Sequence, residues 1–384
     1  MGKFQFKNKV IYILSPEAWG TMRFSKHHYA LELSAAGNKV FFIEPPDLSL
    51  SGINIKKSNE NEGLHIVSYK PVFRAKRFLP DSLFRILLRL QVKLLKSKIG
   101  INPDVVFCFD PFRFSNLKWF GAGVNIFFMA DLFSTQDFPE EAATADFCLG
   151  LSESRLKILR QGPRPAFFIN HGLSHFYVEK AKTKLANLEK QVRSTEKRIT
   201  AGYIGNLMMA ALDRKTMRDI IRENTDIDFV FWGQYEKSGQ LVAFQSDEVI
   251  EFIGFLKEQA NVTLRGPVHP EKLSEEIAIS DFFWVCWKLG VNRVWDGSNP
   301  HKILEYLSSG KPVVAHYVDA YKDSDLIDMM SGENNDDYPR KFHSVIERIK
   351  ETETIEPQQK RLQFAIENSY SKQLEKIEDI INSL

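Results

Sequence analysis

The chain is short of cysteine, of net charge and of long apolar runs, and each shortage removes a class of protein. Its three cysteines, Cys108, Cys148 and Cys286, lie inside apolar runs with no paired spacing. That excludes a disulfide framework and a zinc motif, and it reads as buried thiols in a reducing compartment. With 51 basic and 49 acidic residues the formal charge is only +2, too little for a protein wholly devoted to nucleic acid. No apolar stretch reaches the roughly 20 residues that cross a bilayer, and no signal-peptide pattern opens the sequence. The expected location is the cytoplasm, with or without contact to the inner face of the membrane. The opening loop, "SPEAWGTMRFSKHHYALEL", also lacks the paired glycines of a dinucleotide fingerprint, so a Rossmann dehydrogenase is not supported.

What is present suits two α/β domains. A chain of 384 residues with 43% hydrophobic and 26% charged content fits two soluble cores of roughly 150 to 200 residues each. Val10 to Leu14, a helical pattern stopped by Gly37, and Lys39 to Glu44 form a βαβ opening. Strand patterns recur at 64–69, 104–110, 124–131, 146–152 and 166–170, then at 199–205, 228–233, 262–266, 281–287 and 312–316. Helical patterns separate most of them, which predicts parallel sheets covered on both faces. The strands of the first half end on Ser15, Glu44, Asp110, Asp131, Ser152 and Asn170, at the edge where ligands bind in such sheets. The charged stretch before Ile199 places a linker at 179–198, between a domain at 1–178 and another at 199–356, with a carboxy-terminal helix at 357–384. Two similar halves imply a ligand cleft between facing carboxyl edges.

"SNPHKILEYLSSGKPVV", Ser298 to Val314, reads as a short helix and a buried strand. Ser298 or Asn299 can cap it, Pro300 suits the first helical position and Gly310 the stop. Ile303, Leu304 and Leu307 face a core, leaving Ser298, Lys302 and Glu305 on another face. That face fits a nucleotide diphosphate: Lys302 offers a point charge and Glu305 can accept from a ribose diol. An ordinary capped helix with a solvated polar face has the same spacing. The stretch resembles the nucleotide-binding signature of two-domain GT-B glycosyltransferases, in which a Lys, a Glu and a Gly-Lys-Pro-Val-Val ending recur. The resemblance implies two Rossmann-like domains of the glycosyltransferase family 4-like superfamily, acceptor bound by the first and nucleotide-sugar by the second.

On that resemblance other residues acquire candidate roles. Arg23 and His27 match an Arg-x-x-x-His element ahead of the first helix and would hold acceptor or phosphate. "FFINHGLSHF" is similar to the turn closing the first GT-B domain, with His171 a candidate for the cleft. Gly205 and Asn206 follow the first strand of the second half and would approach the diphosphate. Many retaining relatives have an Arg after that glycine, so Arg214 or Lys215 is a candidate substitute. Arg293, Trp295 and Asp296 offer a stacking face and a charged pair to a sugar. From Val124 through "NHGLSHF" the chain is similar to the membrane-associated glucuronosyltransferases of xanthan assembly, which implies Asp131 as catalytic base and Lys302 as phosphate ligand. Retaining families carry a second glutamate eight residues before Glu305, where this chain has Gly297. With Asp131, that tilts the expectation to inversion, without a metal or other cofactor.

Between Lys70 and Lys98 stand nine basic residues and one acid, Asp81. Ser82 to Lys96 reads as a basic amphipathic helix that either lies on an anionic membrane or packs its leucines on the sheet. The function expected is sugar transfer from a nucleotide-sugar, UDP-linked, to a glycan or lipid-linked acceptor in polysaccharide assembly, with no nucleic-acid partner. A nucleotide-sugar epimerase on the same fold, or a non-catalytic nucleotide-sugar binding protein, are the alternatives.

Overall fold

Runs of valine, isoleucine and phenylalanine bounded by glycine, proline or polar residues form two sheets, as β-branched and aromatic side chains favour. The structure, a computed structural model, describes residues 3–20, 23–73, 80–130, 138–188, 197–236, 246–288, 299–332, 334–350 and 355–384. The chain divides into two units, Met1–Gly172 with Tyr370–Leu384, and Leu173–Ser369.

In the first unit the strands are β1 Val10–Leu14, β2 Lys39–Ile43, β3 Ile53–Lys57, β4 Leu64–Tyr69, β5 Val105–Cys108, β6 Val124–Met129, β7 Phe147–Gly150 and β8 Ala166–Phe168. They lie in the order β3-β4-β2-β1-β5-β6-β7-β8. Alternate residues serve opposite cores: Ile11, Ile13 and Phe107 on one face, Tyr12, Leu14 and Val106 on the other. Burial on both faces is why these strands read as unbroken apolar runs. Helices α1 Ser25–Ala35, α2 Asp81–Ile99, α3 Glu140–Thr144 and α4 Glu153–Leu159 connect them. One strand departs from the all-parallel expectation. β3 pairs antiparallel to β4 at the edge, Ile53 opposite Tyr69, and its sequence, INIKK, carries too few apolar residues to be seen as a buried strand.

The second unit holds β9 Ile199–Ile204, β10 Ile227–Trp232, β11 Val262–Gly266, β12 Phe282–Val285, β13 Val313–Ala315 and β14 Asp328–Met329. The order is β11-β10-β9-β12-β13-β14, and every pair is parallel. Its helices are α5 His175–Ala186, α6 Arg214–Glu223, α7 Asp247–Glu258, α8 Pro270–Glu276, α9 His301–Leu307, α10 Tyr338–Lys350 and α11 Ile355–Glu367.

The units do not divide where composition suggested. The chain passes between them at Gly172–Leu173, and the expected linker, 179–198, begins inside α5. That helix is charged overall yet buries Tyr177, Val178 and Ala181 on one side, a stripe too narrow to register in composition. The carboxy-terminal segment 357–384 is two helices rather than one. Pro357 lies in the first turn of α11, where its missing N–H costs no hydrogen bond. α11 buries Leu362 and Ala365, and its Arg361 donates to the Gly310 carbonyl at 3.0 Å. The last helix, α12 Tyr370–Ser383, returns to the first unit and places Tyr370, Leu374 and Ile377 in its core. Cys108, Cys148 and Cys286 are buried free thiols, as expected. Among the described residues no helix is long and apolar enough to cross a membrane.

Candidate functional site

Sheet order in the second unit reverses at β9, with β10 on one side and β12 on the other. Ligands of open parallel sheets bind at the carboxyl ends of strands at such a switch point. There β9 ends in Gly205 and β10 in Gly233, with φ of +150° and +136°. A Cβ on Gly233 would stand 2.0 Å from the Gly205 carbonyl oxygen, and one on Gly205 would stand 2.3 Å from Lys302 Nζ. Gly233 requires glycine on both counts, since its neighbour is backbone, whereas at Gly205 it is the positive φ that favours glycine and the lysine end could shift.

Helix α9 supplies the rest. Tyr306 is buried and stacked on Phe283 at 4.5 Å, and its hydroxyl accepts from the Ile204 N–H at 2.8 Å. The same hydroxyl donates to the Ile204 carbonyl at 3.3 Å, so one phenol fixes the backbone just before Gly205. One turn earlier Lys302 donates to the Tyr203 hydroxyl at 3.3 Å and lies over the rings of Tyr203 and Trp287, 4.7 and 5.1 Å from their centres. Desolvation of the ammonium lowers its pKa to about 8, against the pull of the Glu305 carboxylate. Among the described residues Lys302 forms no ion pair; Glu305 instead meets His301 Nδ1 at 3.4 Å. A half-buried ammonium held by a hydroxyl and two aromatic faces leaves a desolvated positive charge for an anion to complete.

Several expected residues have other duties. α9 starts at His301 with Pro300 as its cap, one residue later than the sequence suggested, and no side chain caps it. Asn299 is buried before it. The Asn206 side chain accepts from the Met208 N–H at 2.9 Å and so closes its own turn. Arg214, 2% exposed, donates to the Met209 carbonyl at 2.7 Å and holds the loop that follows Gly205. Lys215 is exposed on α6. Ser298, Arg293, Trp295 and Asp296 lie outside the described residues.

The first unit reverses at β1 and β5, whose ends carry buried Ser15 and Asp110. Arg113 pairs with Asp110 at 2.9 Å and donates to the Ser15 carbonyl at 3.2 Å. Burial raises the Asp110 pKa, and Arg113 opposes the rise. Lys26, 2% exposed, pairs with Glu17 in the neighbouring loop. Lys26 and Arg113 escaped the sequence reading. A cation two or three residues from a strand-end polar residue or a histidine, as in "DPFR" and "SKHH", is their one local signal.

His27 is not available to a ligand. Its Nδ1 accepts from the Phe24 N–H at 3.0 Å and its Nε2 donates to the Ala18 carbonyl at 3.0 Å. Fully buried and stacked on Phe42 at 5.0 Å, the imidazole has its pKa lowered by desolvation to about 4. It is a fold residue that starts α1. Arg23 pairs with Glu60 at 2.5 Å and covers the Trp19 ring at 4.3 Å. The half-buried His171 donates its backbone N–H to Asn170 Oδ1 at 2.8 Å. A Cβ on the neighbouring Gly172 would stand 2.2 Å from the Tyr370 ring, so that glycine serves close packing. Asp131 lies outside the described residues.

No protein-family model and no curated protein matches the chain. Solved structures do match, over almost all of it. HepE from Anabaena, in complex with UDP-glucose, superposes with a TM-score of 0.67 at 11% identity, over 98% of this chain and 100% of its own. Sucrose-phosphate synthase from Thermosynechococcus elongatus gives 0.64 at 11% identity over 98% of both chains. The fold is GT-B. A glycosyltransferase from Rickettsia africae adds 0.67 at 13% identity, again over 98% of both chains. At such identities the likeness carries the GT-B architecture alone. It does not carry the narrower resemblance to the xanthan-assembly glucuronosyltransferases.

Proposed function

We propose that this GT-B chain is a glycosyltransferase that takes a sugar from a nucleotide donor, UDP-linked, and gives it to a glycan or lipid-linked acceptor. The observation that carries the reading is Lys302, a desolvated ammonium beside two glycines of positive φ at the switch point of the second sheet. Support for UDP comes from the HepE complex, which contains UDP-glucose. In the transfer, an acceptor oxygen forms the new bond at the anomeric carbon while the bond to the diphosphate oxygen breaks. Charge grows on the departing diphosphate, and Lys302 with nearby backbone N–H groups neutralises it without a metal. The acceptor proton passes to a base. In the inverting form of this reading Asp131 is that base, and the first unit receives the acceptor.

Calorimetry against UDP, GDP, dTDP and CMP sugars identifies the donor. Lys302→Ala is expected to weaken UDP binding by about 10- to 100-fold, the worth of a charge-assisted contact. Undiminished binding and turnover in that variant overturn the assignment. Asp131→Asn should abolish transfer while sparing UDP affinity; full activity returns the mechanism to retention. Release of an altered sugar without any acceptor identifies an epimerase instead.

A further inference from the structure

The exposed face of α2 is the second surface with a chemistry of its own. The helix buries Leu88, Gln91, Val92, Leu95 and Ile99 against the first unit. On the other side Leu83, Ile86, Leu90 and Leu94 are 41%, 63%, 43% and 41% exposed. At 3.6 residues per turn these four fall within an arc of roughly 80° opposite the buried set, a line about 16 Å long. Leu88 and Leu95 pack inward, whereas Leu83, Leu90 and Leu94 do not. Arg85, Arg89 and Lys93, all exposed, run along one margin of the line. Asp81 is the helix's single acid, and it stands at the first turn. Arg85 meets Glu140 at 3.0 Å on the surface, which leaves Arg89 and Lys93 as the most open cations of that margin.

We infer that this face of α2 docks on an anionic lipid bilayer. A leucine and isoleucine line with a basic margin is complementary to a surface that offers negative head groups above hydrocarbon. Four half-exposed aliphatic side chains supply far less than the ~800 Å² that each partner gives a stable protein interface. A bilayer demands no such area and no shape complementarity. Aliphatic side chains enter the interface while the cations stay at head-group level, where Arg and Lys stems can reach. The inference goes beyond the proposed transfer reaction and does not depend on it.

Sedimentation of the full chain with vesicles tests it. Wild-type protein is expected to pellet with phosphatidylglycerol and phosphatidylcholine in equal parts, to remain in solution with phosphatidylcholine alone, and to be released by high salt. A triple Leu83→Ser, Ile86→Ser, Leu90→Ser variant and a double Arg89→Glu, Lys93→Glu variant should each bind at least about tenfold more weakly. Thermal unfolding of both variants should match wild type, since the altered residues are exposed. Wild-type protein that stays in solution with every vesicle overturns the inference. So do variants that pellet as well as wild type, or a wild-type dimer that the serine variant dissociates, which would assign the line to self-association.

Discussion

Lys302 and His27 show how burial gives two basic side chains opposite meanings. Each has its pKa lowered by desolvation, to about 8 and about 4. His27 has both nitrogens committed to backbone groups, so its neutrality is part of the fold. Lys302 has a hydroxyl and two rings around it and keeps its charge at neutral pH. For Lys302 the free ammonium is lost as pH rises through about 8, and an anion must then bind against reprotonation. UDP affinity should thus fall about tenfold between pH 7 and pH 9, as calorimetry in matched buffers would measure. For His27 the folded pKa lies below the unfolded value of about 6.5. Unfolded chains therefore take the proton first as pH falls, and stability is full above about 6.5 and declines towards pH 4. The contribution is about 3 kcal/mol, read from urea unfolding at a series of pH values, and His27→Asn should flatten that decline. A curve of unchanged shape in the variant would mean another group is responsible.

At the scale of elements, α9 and the ends of β9 and β10 act as one device. Tyr306 fixes Ile204 from the helix side, and the glycine pair lets the backbone and Lys302 close up. Gly233→Ala must push its new carbon away from a carbonyl oxygen 2.0 Å distant and hold a left-handed φ. A loss of about 3 kcal/mol in stability is expected, with UDP binding impaired beyond what unfolding explains. Tyr306→Phe removes a hydroxyl that serves both Ile204 groups and leaves the stacking on Phe283 in place. Its cost should be about 1–3 kcal/mol, the price of a buried N–H without its partner, and near-wild-type melting would show that the phenol is dispensable. Sequence periodicity found this helix to within one residue of its start and put Lys302 on it. Tyr306 was passed over because an aromatic on an apolar helix face reads as packing, and only its meeting with β9, 102 residues away, reveals the hydroxyl's use.

Across the whole molecule, the first unit is finished by the last helix. Tyr370 stacks on His28 at 4.9 Å and meets Tyr29 at 5.0 Å, while Glu378 and Asn382 accept from the Phe6 and Phe4 N–H groups at 2.5 and 2.6 Å. A chain ended after Ser369 should expose that core and give early proteolytic cleavage within the first unit. The proposed UDP site, whose described candidate residues lie in the second unit, should still bind. Equal protease resistance of the shortened chain would show that α12 is not needed. The amino-acid order alone determined the alternation of apolar strands and helices, the polar residues at strand ends and the Lys302 helix, because these follow from local periodicity and turn chemistry. Only the tertiary structure decided that α12 crosses back to the first unit, that β3 joins its edge, and that Arg214 and His27 are buried on backbone partners while Lys302 rests on a hydroxyl and two aromatic rings. Those outcomes depend on partners far apart in the chain, such as Lys302 with Tyr203, 99 residues away, and Phe4 with Asn382, 378 residues away. A pattern within one window cannot say whether a polar side chain will find such a partner or wait for one.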